Sequence, residues 1–453
     1  MKYSCRHILA TYFSLLSVLT LVIFAPSAHD GSNVQLLSLR SSIGVPSVLA
    51  TMLDYHSDTL QERVAGRLQK RLYSQGKQSP PLDKLAQAIT QRQSLLSHKV
   101  RADIRSSNGD QHKVWDVSLH AYPLWIHPEF SLTDAVYTVD TSEIAKTIEA
   151  EIEPSIQAPV DVEVTGITLQ KNITRVSTSG VAKKGQAIDI ASASSDLKKA
   201  LVEDVSGIEI QLLEKNGQLR NVSEIDLGKL ELLASGKSDF TGSTYARAYN
   251  VRKALNEHVN NMYVAPGETF SFNSTLGGPV SERRGWKMAK VIFGGTELRP
   301  APGGGICQAS TTVYRAAVLA GFPVLERRSH SLYVSYYKKY GVGIDATIFP
   351  GVQDLTFVND TGYPVIIQAY NDGNEAYVNV YGTSDGRTVD LQGPYFSSNY
   401  PDSLFIDGRR VARNEVAWTQ TVQYPNGRTE ESIIVSRYHE LPSYVRTEFA
   451  LAE

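Results

Sequence analysis

Hydrophobic residues recur at helical spacing along the N-terminal part of the chain. From about residue 46 to 96, apolar side chains return at intervals of three, four and seven, at Leu49, Leu53, Leu60, Val64, Leu68 and Leu72. This spacing lines them along one side of a helix, and the glycine and prolines of 76–81 interrupt it. The pattern predicts a helical stalk or hairpin over residues 40–105. Packing of this apolar side against the next domain is an equally good interpretation.

The pattern then changes to strands. Apolar and polar residues alternate at 114–119 and more strictly at 160–164, which is the period of a half-buried strand. Between and after these strands, Thr141-Ser142-Glu143 and Ser194-Ser195-Asp196 each offer a hydroxyl cap and a first-turn carboxylate for a short helix. Residues 110–235 are therefore predicted to form a small α+β domain.

Residues 240–385 begin with a helix and continue as a meander. Helices are predicted from Tyr245 to about Val259 and from Cys307 to Ala320. Short strands follow closely, at 324–327, 332–336, 346–349, 354–358, 365–370 and 376–381. This order predicts an α+β domain in which the second helix lies on an antiparallel sheet.

The C-terminal extension, residues 386–453, has the pattern of further strands. Pro425-Asn426-Gly427 separates the runs 418–423 and 431–437, which predicts a hairpin. No pattern in the extension indicates chemistry. We expect it to extend the sheet or to form a small module that binds carbohydrate or a partner protein.

The first 28 residues have the pattern of an export signal. Lys2 and Arg6 precede a run from Ile8 to Ala25 in which apolar residues predominate, and Ala25-Pro26-Ser27-Ala28 offers small residues for cleavage. Residues 1–28 are expected to be a signal peptide or a retained membrane anchor, since roughly 17–25 apolar residues span a bilayer. The protein is thus predicted to be exported, to the outer face of the membrane or the cell wall.

Charge and histidine spacing exclude other classes of partner. The 453 residues include 45 Lys plus Arg against 47 Asp plus Glu, so no basic excess exists to neutralise a phosphate backbone, and nucleic acid is not an expected partner. In the 110–235 domain, His112, His120 and His127 lack the spacing of metal ligands. We expect neither a metal nor an organic cofactor.

The candidate chemistry centres on Cys307, which has no disulfide partner in the chain once Cys5 of the leader is discounted. Gly303, Gly304 and Gly305 precede it and place it in the first turn of the predicted helix. Free amides and the helix dipole favour a thiolate there. The same amides, with the side chain of Gln308 or another donor, are candidates for an oxyanion hole, and the glycines for a substrate loop.

Two residues that follow Cys307 complete a candidate triad. A thiolate nucleophile works best with a base, and the base with a third group that orients it. His330 is predicted at the junction of two short strands and Asp345 at the start of a strand, and a hairpin across Val342-Gly343 would bring both to the helix N-terminus. The alternative is structural, with Cys307 a core thiol, His330 a loop residue and Asp345 a turn residue.

Five motifs in this part of the chain resemble landmarks of the VanW family, named for an accessory protein of vancomycin-resistance clusters. They are Pro266-Gly267-Glu268-Thr269-Phe270-Ser271-Phe272-Asn273, Gly303-Gly304-Gly305-Ile306-Cys307-Gln308-Ala309-Ser310-Thr311-Thr312, Glu326-Arg327-Arg328-Ser329-His330-Ser331, Asp345-Ala346-Thr347 and Asn359-Asp360-Thr361-Gly362-Tyr363-Pro364. The approach to Asp345, residues 338–343, departs from the family's usual proline-glycine turn. Residues 110–235 are similar to the peptidoglycan-binding domain that often precedes VanW domains.

A second resemblance concerns the chemistry. The order of Gly305, Cys307, a helix, His330 and Asp345 is similar to that of transglutaminase-like cysteine enzymes. It implies a cysteine hydrolase or acyl transferase, with Cys307 as nucleophile, His330 as base and then acid, and Asp345 as orienting group. For an exported protein of the cell envelope with a predicted wall-binding domain, the expected substrates are peptidoglycan peptides or envelope proteins. The alternative is a non-catalytic peptidoglycan-binding or scaffold protein accessory to cell-wall assembly or glycopeptide resistance.

Overall fold

The structure, a computed structural model, describes residues 47–170 and 172–445, with the side chains from residue 60 onward. The predicted signal peptide or anchor, residues 1–28, lies outside the described residues. Among the helices that are described, none is long and apolar enough to cross a membrane.

Helices and strands are numbered along the chain. The helices are α1 Ser47–Ser74, α2 Leu82–Ser97, α3 Thr141–Thr147, α4 Ile190–Glu203, α5 Tyr245–Lys253, α6 Phe272–Thr275 and α7 Ile306–Ala320. The strands are β1 Lys99–Arg105, β2 Gln111–Ser118, β3 Ile126–Phe130, β4 Ala135–Val139, β5 Val162–Gln170, β6 Ile173–Thr178, β7 Gly185–Ile188, β8 Gly207–Lys215, β9 Leu219–Asn221, β10 Glu231–Asp239, β11 Met262–Val264, β12 Thr269–Ser271, β13 Met288–Phe293, β14 Glu297–Pro302, β15 Val324–Glu326, β16 Thr356–Val358, β17 Val365–Asp372, β18 Glu375–Gly382, β19 Thr388–Tyr395, β20 Glu415–Gln423 and β21 Thr429–Arg437. Single π-turns, Ile148–Ile152 and Ala254–Val259, continue α3 and α5.

The chain divides into two compact units. The first comprises the described part of Met1–Ser97 together with Ile126–Thr138. In it α1 and α2 form a helical hairpin whose apolar sides meet each other and the β3–β4 hairpin, burying Ala65, Leu85, Ala88, Ile89 and Ala135. The helices end at Ser97, short of the predicted 105, because β1 starts two residues later.

The second unit comprises His98–Trp125 and the described part of Val139–Glu453. Its largest sheet has seven strands in the order β10-β18-β17-β11-β6-β5-β9. This sheet joins strands of the predicted 110–235 and 240–385 domains, with β6 meeting β11 at Arg175 and Met262. The predicted boundary near residue 240 therefore falls within one sheet. The sequence did not indicate this, because alternation identifies strands but not their neighbours.

Two smaller sheets complete most of this unit. A four-stranded sheet, β2-β1-β8-β7, has α4 packed on β1 and β8. The C-terminal sheet, β19-β20-β21, contains the hairpin predicted around Pro425-Asn426-Gly427, with Gln423 opposite Thr429. The mixture of helices with largely antiparallel sheets confirms the predicted α+β class.

Helix α7 lies directly on the seven-stranded sheet. It contacts β10 and β18, and its side chains are almost entirely buried. Gly236 of β10 lets the helix approach closely, since a Cβ at this position would lie 2.2 Å from the Thr312 carbonyl oxygen. The start of α7 is thereby fixed to the sheet.

We expect Gly236→Ala to lower the free energy of unfolding by about 3 kcal/mol, because the added carbon meets helix backbone that cannot move aside. Gly166→Ala is the matched control, another strand glycine at which a Cβ meets nothing within 4 Å. Its effect should stay within about 1 kcal/mol. Urea denaturation of both variants measures the difference, and equal losses would contradict the packing described here.

Candidate active site

Cys307 lies in the first turn of α7. The helix begins at Ile306 after Gly305, whose φ of 109° is in the left-handed region that favours glycine. The Cys307 side chain packs against the core but remains partly exposed. Its Sγ lies 3.7 Å from both Thr347 Oγ1 and the Ile348 carbonyl oxygen. The thiol thus sits where the start of α7 meets residues 347–348.

The three glycines before the helix are packed against protein. A Cβ on Gly303 would lie 2.3 Å from Val280 Cγ1, and one on Gly304 would lie 2.6 Å from the Ala289 carbonyl group. One on Gly305 would approach Arg247 Cγ to 2.9 Å. The side of each glycine on which a Cβ would lie is therefore filled by the protein's own atoms.

Gln308 is a core residue. Its Nε2 donates to the Asp239 carbonyl oxygen at 3.1 Å, and its Oε1 accepts from Arg247 Nη2 at 2.8 Å. Its backbone N–H donates to the Gly305 carbonyl oxygen at 2.9 Å. The amide group of the Gln308 side chain is therefore already hydrogen-bonded to Asp239 and Arg247. The N–H of Cys307 itself, in the first turn where amides lack an intrahelical acceptor, is the better candidate oxyanion donor.

His330 and Asp345 form a buried pair. The His330 side chain is 5% exposed and the Asp345 side chain 1%. Asp345 Oδ2 lies 2.5 Å from His330 Nδ1 and accepts the His330 backbone N–H at 2.8 Å. With Nδ1 held by the carboxylate, Nε2 is the ring nitrogen left for the thiol. The structure therefore brings His330 and Asp345 into direct contact, with the imidazole close enough to Cys307 to lower the pKa of the thiol.

The other carboxylate oxygen of Asp345 faces three residues that were not predicted as site residues. Oδ1 accepts the Tyr438 hydroxyl at 2.9 Å, lies 3.5 Å from Ser436 Oγ and is paired with Arg327 Nη2 at 3.7 Å. Arg327 also donates from Nε to the Asp345 carbonyl oxygen at 2.7 Å. Arg327 belongs to a motif that carried the family resemblance, but no pattern marked Ser436 or Tyr438.

The segments that carry His330 and Asp345 are loops, which corrects the predicted strands 332–336 and 346–349. Ser335–Tyr337 is a single 3-10 turn, and Thr347 makes only an isolated bridge to Arg328. The hairpin predicted across Val342-Gly343 does not form.

The physical reason is that side chains of α7 take the hydrogen bonds that a strand partner would supply. Buried Arg315 donates to the carbonyl oxygens of Tyr337, Gly341 and Ile344. Thr311 Oγ1 accepts the Ala346 N–H at 3.1 Å, and a neighbouring serine hydroxyl of α7 donates to the Ala346 carbonyl oxygen. The helix that carries Cys307 therefore also fixes the backbone on both sides of Asp345.

Electrostatics within the site favour a charged pair. Burial raises the pKa of the Cys307 thiol, but a hydrogen bond with His330 and the charge of its ring bring that pKa below the ordinary value. Burial lowers the pKa of His330, and the hydrogen bonds to Asp345 and Cys307 raise it to about 9. Burial also raises the pKa of Asp345, which His330 and Arg327 nevertheless hold well below its usual range. The arrangement therefore favours a thiolate–imidazolium pair more than isolated side chains would.

We expect Asp345→Asn to lower the free energy of unfolding by about 3–5 kcal/mol, because it removes one charge of a buried pair and leaves His330 and Arg327 facing a neutral amide. Asp372→Asn is the control, since this carboxylate is exposed at the end of β17. Its effect should remain within about 0.5 kcal/mol. Chemical denaturation at neutral pH compares the two, and a small loss in Asp345→Asn would contradict the buried ion pair.

Comparison with known proteins supports the family resemblance. The family model described as VanW like protein matches residues 246–381, a range that includes Cys307, His330 and Asp345. The uncharacterized protein YoaR of Bacillus subtilis (strain 168) is 36% identical over 147 residues, which are 32% of this chain and 46% of YoaR. The match thus spans less than half of that relative. No solved structure matches the chain significantly. Residues 246–381 of the chain are therefore a VanW-like domain.

Proposed function

We propose that this protein is a cysteine-dependent amide hydrolase or acyl transferase of the transglutaminase-like type. The observation that carries the proposal is the His330–Asp345 pair beside a helix-start thiol. His330 Nδ1 is 2.5 Å from a buried carboxylate, and a hydrogen bond with the same imidazole lowers the pKa of Cys307. A core cysteine that takes part in no reaction would need neither His330 nor Asp345.

The thiolate attacks first. Its sulfur forms a bond to the carbonyl carbon of an amide, and the N–H of Cys307 is placed to stabilise the oxyanion. As the carbon–nitrogen bond breaks, the imidazolium of His330 gives its proton to the departing amine, which leaves a thioester on Cys307. The raised pKa of His330, about 9, suits it to act as an acid in this step, after it has taken the thiol proton as a base to form the charged pair.

The thioester is then resolved. Water or an amine attacks the carbonyl carbon and loses a proton to the neutral imidazole of His330, and Cys307 departs as thiolate. Water gives a hydrolase, whereas an amine gives an acyl transferase. Asp345 remains ionised throughout and keeps Nδ1 of His330 in place, which directs Nε2 to the reacting atoms.

The proposed substrates are peptides of peptidoglycan or envelope proteins, on the outer face of the membrane or in the cell wall. This follows from the export pattern of residues 1–28, which also provides the proposed membrane contact, and from the resemblance of residues 110–235 to peptidoglycan-binding domains. Neither step calls on a nucleic acid, a metal or an organic cofactor.

The second candidate is a non-catalytic peptidoglycan-binding or scaffold protein accessory to cell-wall assembly or glycopeptide resistance. Two observations favour it. The thiol packs against the core, and protein atoms fill the space beside all three glycines before the helix. In this alternative the His330–Asp345 pair serves only to hold the loops together.

The pH dependence of Cys307 alkylation by iodoacetamide distinguishes the two. We expect a rate that stays high well below pH ~8.5, the ordinary thiol pKa, because His330 stabilises the thiolate. His330→Gln should move the midpoint upward by about 1 unit or more, since it removes the positive charge. Mass spectrometry of the peptide that contains Cys307 measures its alkylation separately from any alkylation of Cys5.

The unfolded protein in denaturant provides the reference midpoint for the same peptide. A folded-state midpoint at or above that reference, unchanged by His330→Gln, would eliminate the enzyme and leave the binding protein.

We also expect the full chain to release amines from cell-wall peptides, or to exchange them with an added amine, and Cys307→Ala to lose this activity by at least about 10³-fold, because the nucleophile is removed. Mass spectrometry of the peptides measures both reactions. Binding of cell-wall fragments that survives in Cys307→Ala without any turnover in the wild type would favour the scaffold instead.

A further inference from the structure

The C-terminal extension enters the site. The chain just after strand β21 passes beside the loop that carries His330, where the His439 backbone N–H donates to the Ser331 carbonyl oxygen at 2.7 Å. The residue before it, Tyr438, places its hydroxyl 2.9 Å from Asp345 Oδ1. These residues lie beyond residue 381, where the VanW-like match ends. A segment outside the matched domain therefore contacts the candidate triad.

Tyr438 supplies the short hydrogen bond to Asp345 Oδ1. The Ser436 hydroxyl has one hydrogen, and it donates to the Gly343 carbonyl oxygen at 2.5 Å, so its 3.5 Å contact with Oδ1 is weak. Arg327 Nη2 is 3.7 Å from Oδ1, too far for a hydrogen bond. Among the residues that the structure describes, Tyr438 is the side chain that fixes this oxygen.

Tyr438 is itself held independently of Asp345. Its N–H donates to the Asn414 carbonyl oxygen at 3.0 Å, and Asn414 Nδ2 donates back to the Tyr438 carbonyl oxygen at 2.7 Å. Its ring packs edge-on against Tyr333, with centroids 5.9 Å apart, in a core cluster that includes Val416 and Leu441. The hydroxyl is therefore already in place for the carboxylate to accept, which is the requirement for a positioning group.

We propose that Tyr438 is a positioning residue of the triad, which holds Asp345 Oδ1 so that Oδ2 stays aimed at His330 Nδ1. The inference rests on the proposed function, and it makes the C-terminal extension part of the catalytic unit. The two roles expected from sequence, a sheet extension or a separate binding module, did not include such a contact. Burial and the neighbouring carboxylate raise the pKa of Tyr438 well above its ordinary value, which keeps its hydroxyl a donor.

A rotated carboxylate weakens the hydrogen bond to His330 and with it the support of the imidazolium for the thiolate. In Tyr438→Phe of the full chain we expect the midpoint of Cys307 alkylation to rise by about 0.5–1 pH unit. Tyr333→Phe is the matched control, because it makes the same change in the same cluster but leaves the bond to Asp345 intact. Its midpoint should remain that of the wild type.

The midpoint separates positioning from packing. A variant that is merely less stable melts at a lower temperature but keeps the midpoint of its folded fraction. If Tyr438→Phe loses stability but its midpoint of Cys307 alkylation is unchanged or lower, the inference is overturned. Asn414→Ala, which loosens Tyr438 but leaves its hydroxyl, should also raise the midpoint. It decides the question if Tyr438→Phe does not fold, and an unchanged midpoint overturns the inference there too.

The failure of this inference is distinct from that of the proposed function. The wild-type midpoint could be low, raised by His330→Gln and unchanged by Tyr438→Phe. This result would support the cysteine enzyme and contradict only the role of Tyr438. A wild-type midpoint at the ordinary thiol value would discard both.

Discussion

The buried ion pair between Asp345 and His330 is the interaction on which the rest of the site depends. A carboxylate without exposure to water is unfavourable unless its oxygens receive hydrogen bonds and an opposite charge. Asp345 receives two bonds from His330, one from Tyr438 and the charge of Arg327. This environment keeps the carboxylate ionised, which in turn supports a charged imidazole next to Cys307. The protonation state of the Cys307 thiol therefore depends on Tyr438 and Arg327, which act on it through Asp345 and His330.

The fold concentrates these requirements on one helix. Helix α7 carries Cys307 at its start and is fixed to the sheet at Gly236. Further along, buried Arg315 and Thr311 bind the backbone around Asp345, in place of a strand partner. Cys307 and Asp345 are thus positioned by the same element, so their geometry does not depend on a regular hairpin between His330 and Asp345.

Much of this arrangement could be predicted from the sequence. The remainder depends on tertiary contacts, which local sequence patterns do not show. Periodicity located α7 and the β20–β21 hairpin, and the chemistry of thiols indicated Cys307 with its two partners. Sheet neighbours such as β6 and β11 were not predictable, because pairing depends on contacts distant in the chain. Gln308 looked like an oxyanion donor, but its bonds to Asp239 and Arg247 are tertiary.

Tyr438 had no sequence signal at all, since its role arises from a contact across 93 positions. The VanW-like match stops well before it, although the candidate site does not. An NMR titration of the His330 imidazole in the folded protein tests the charge of the buried pair most directly. We expect a His330 pKa near 9 in the wild type and a lower pKa in Asp345→Asn. A wild-type pKa at or below about 6.5, the ordinary value for histidine, would contradict this expectation.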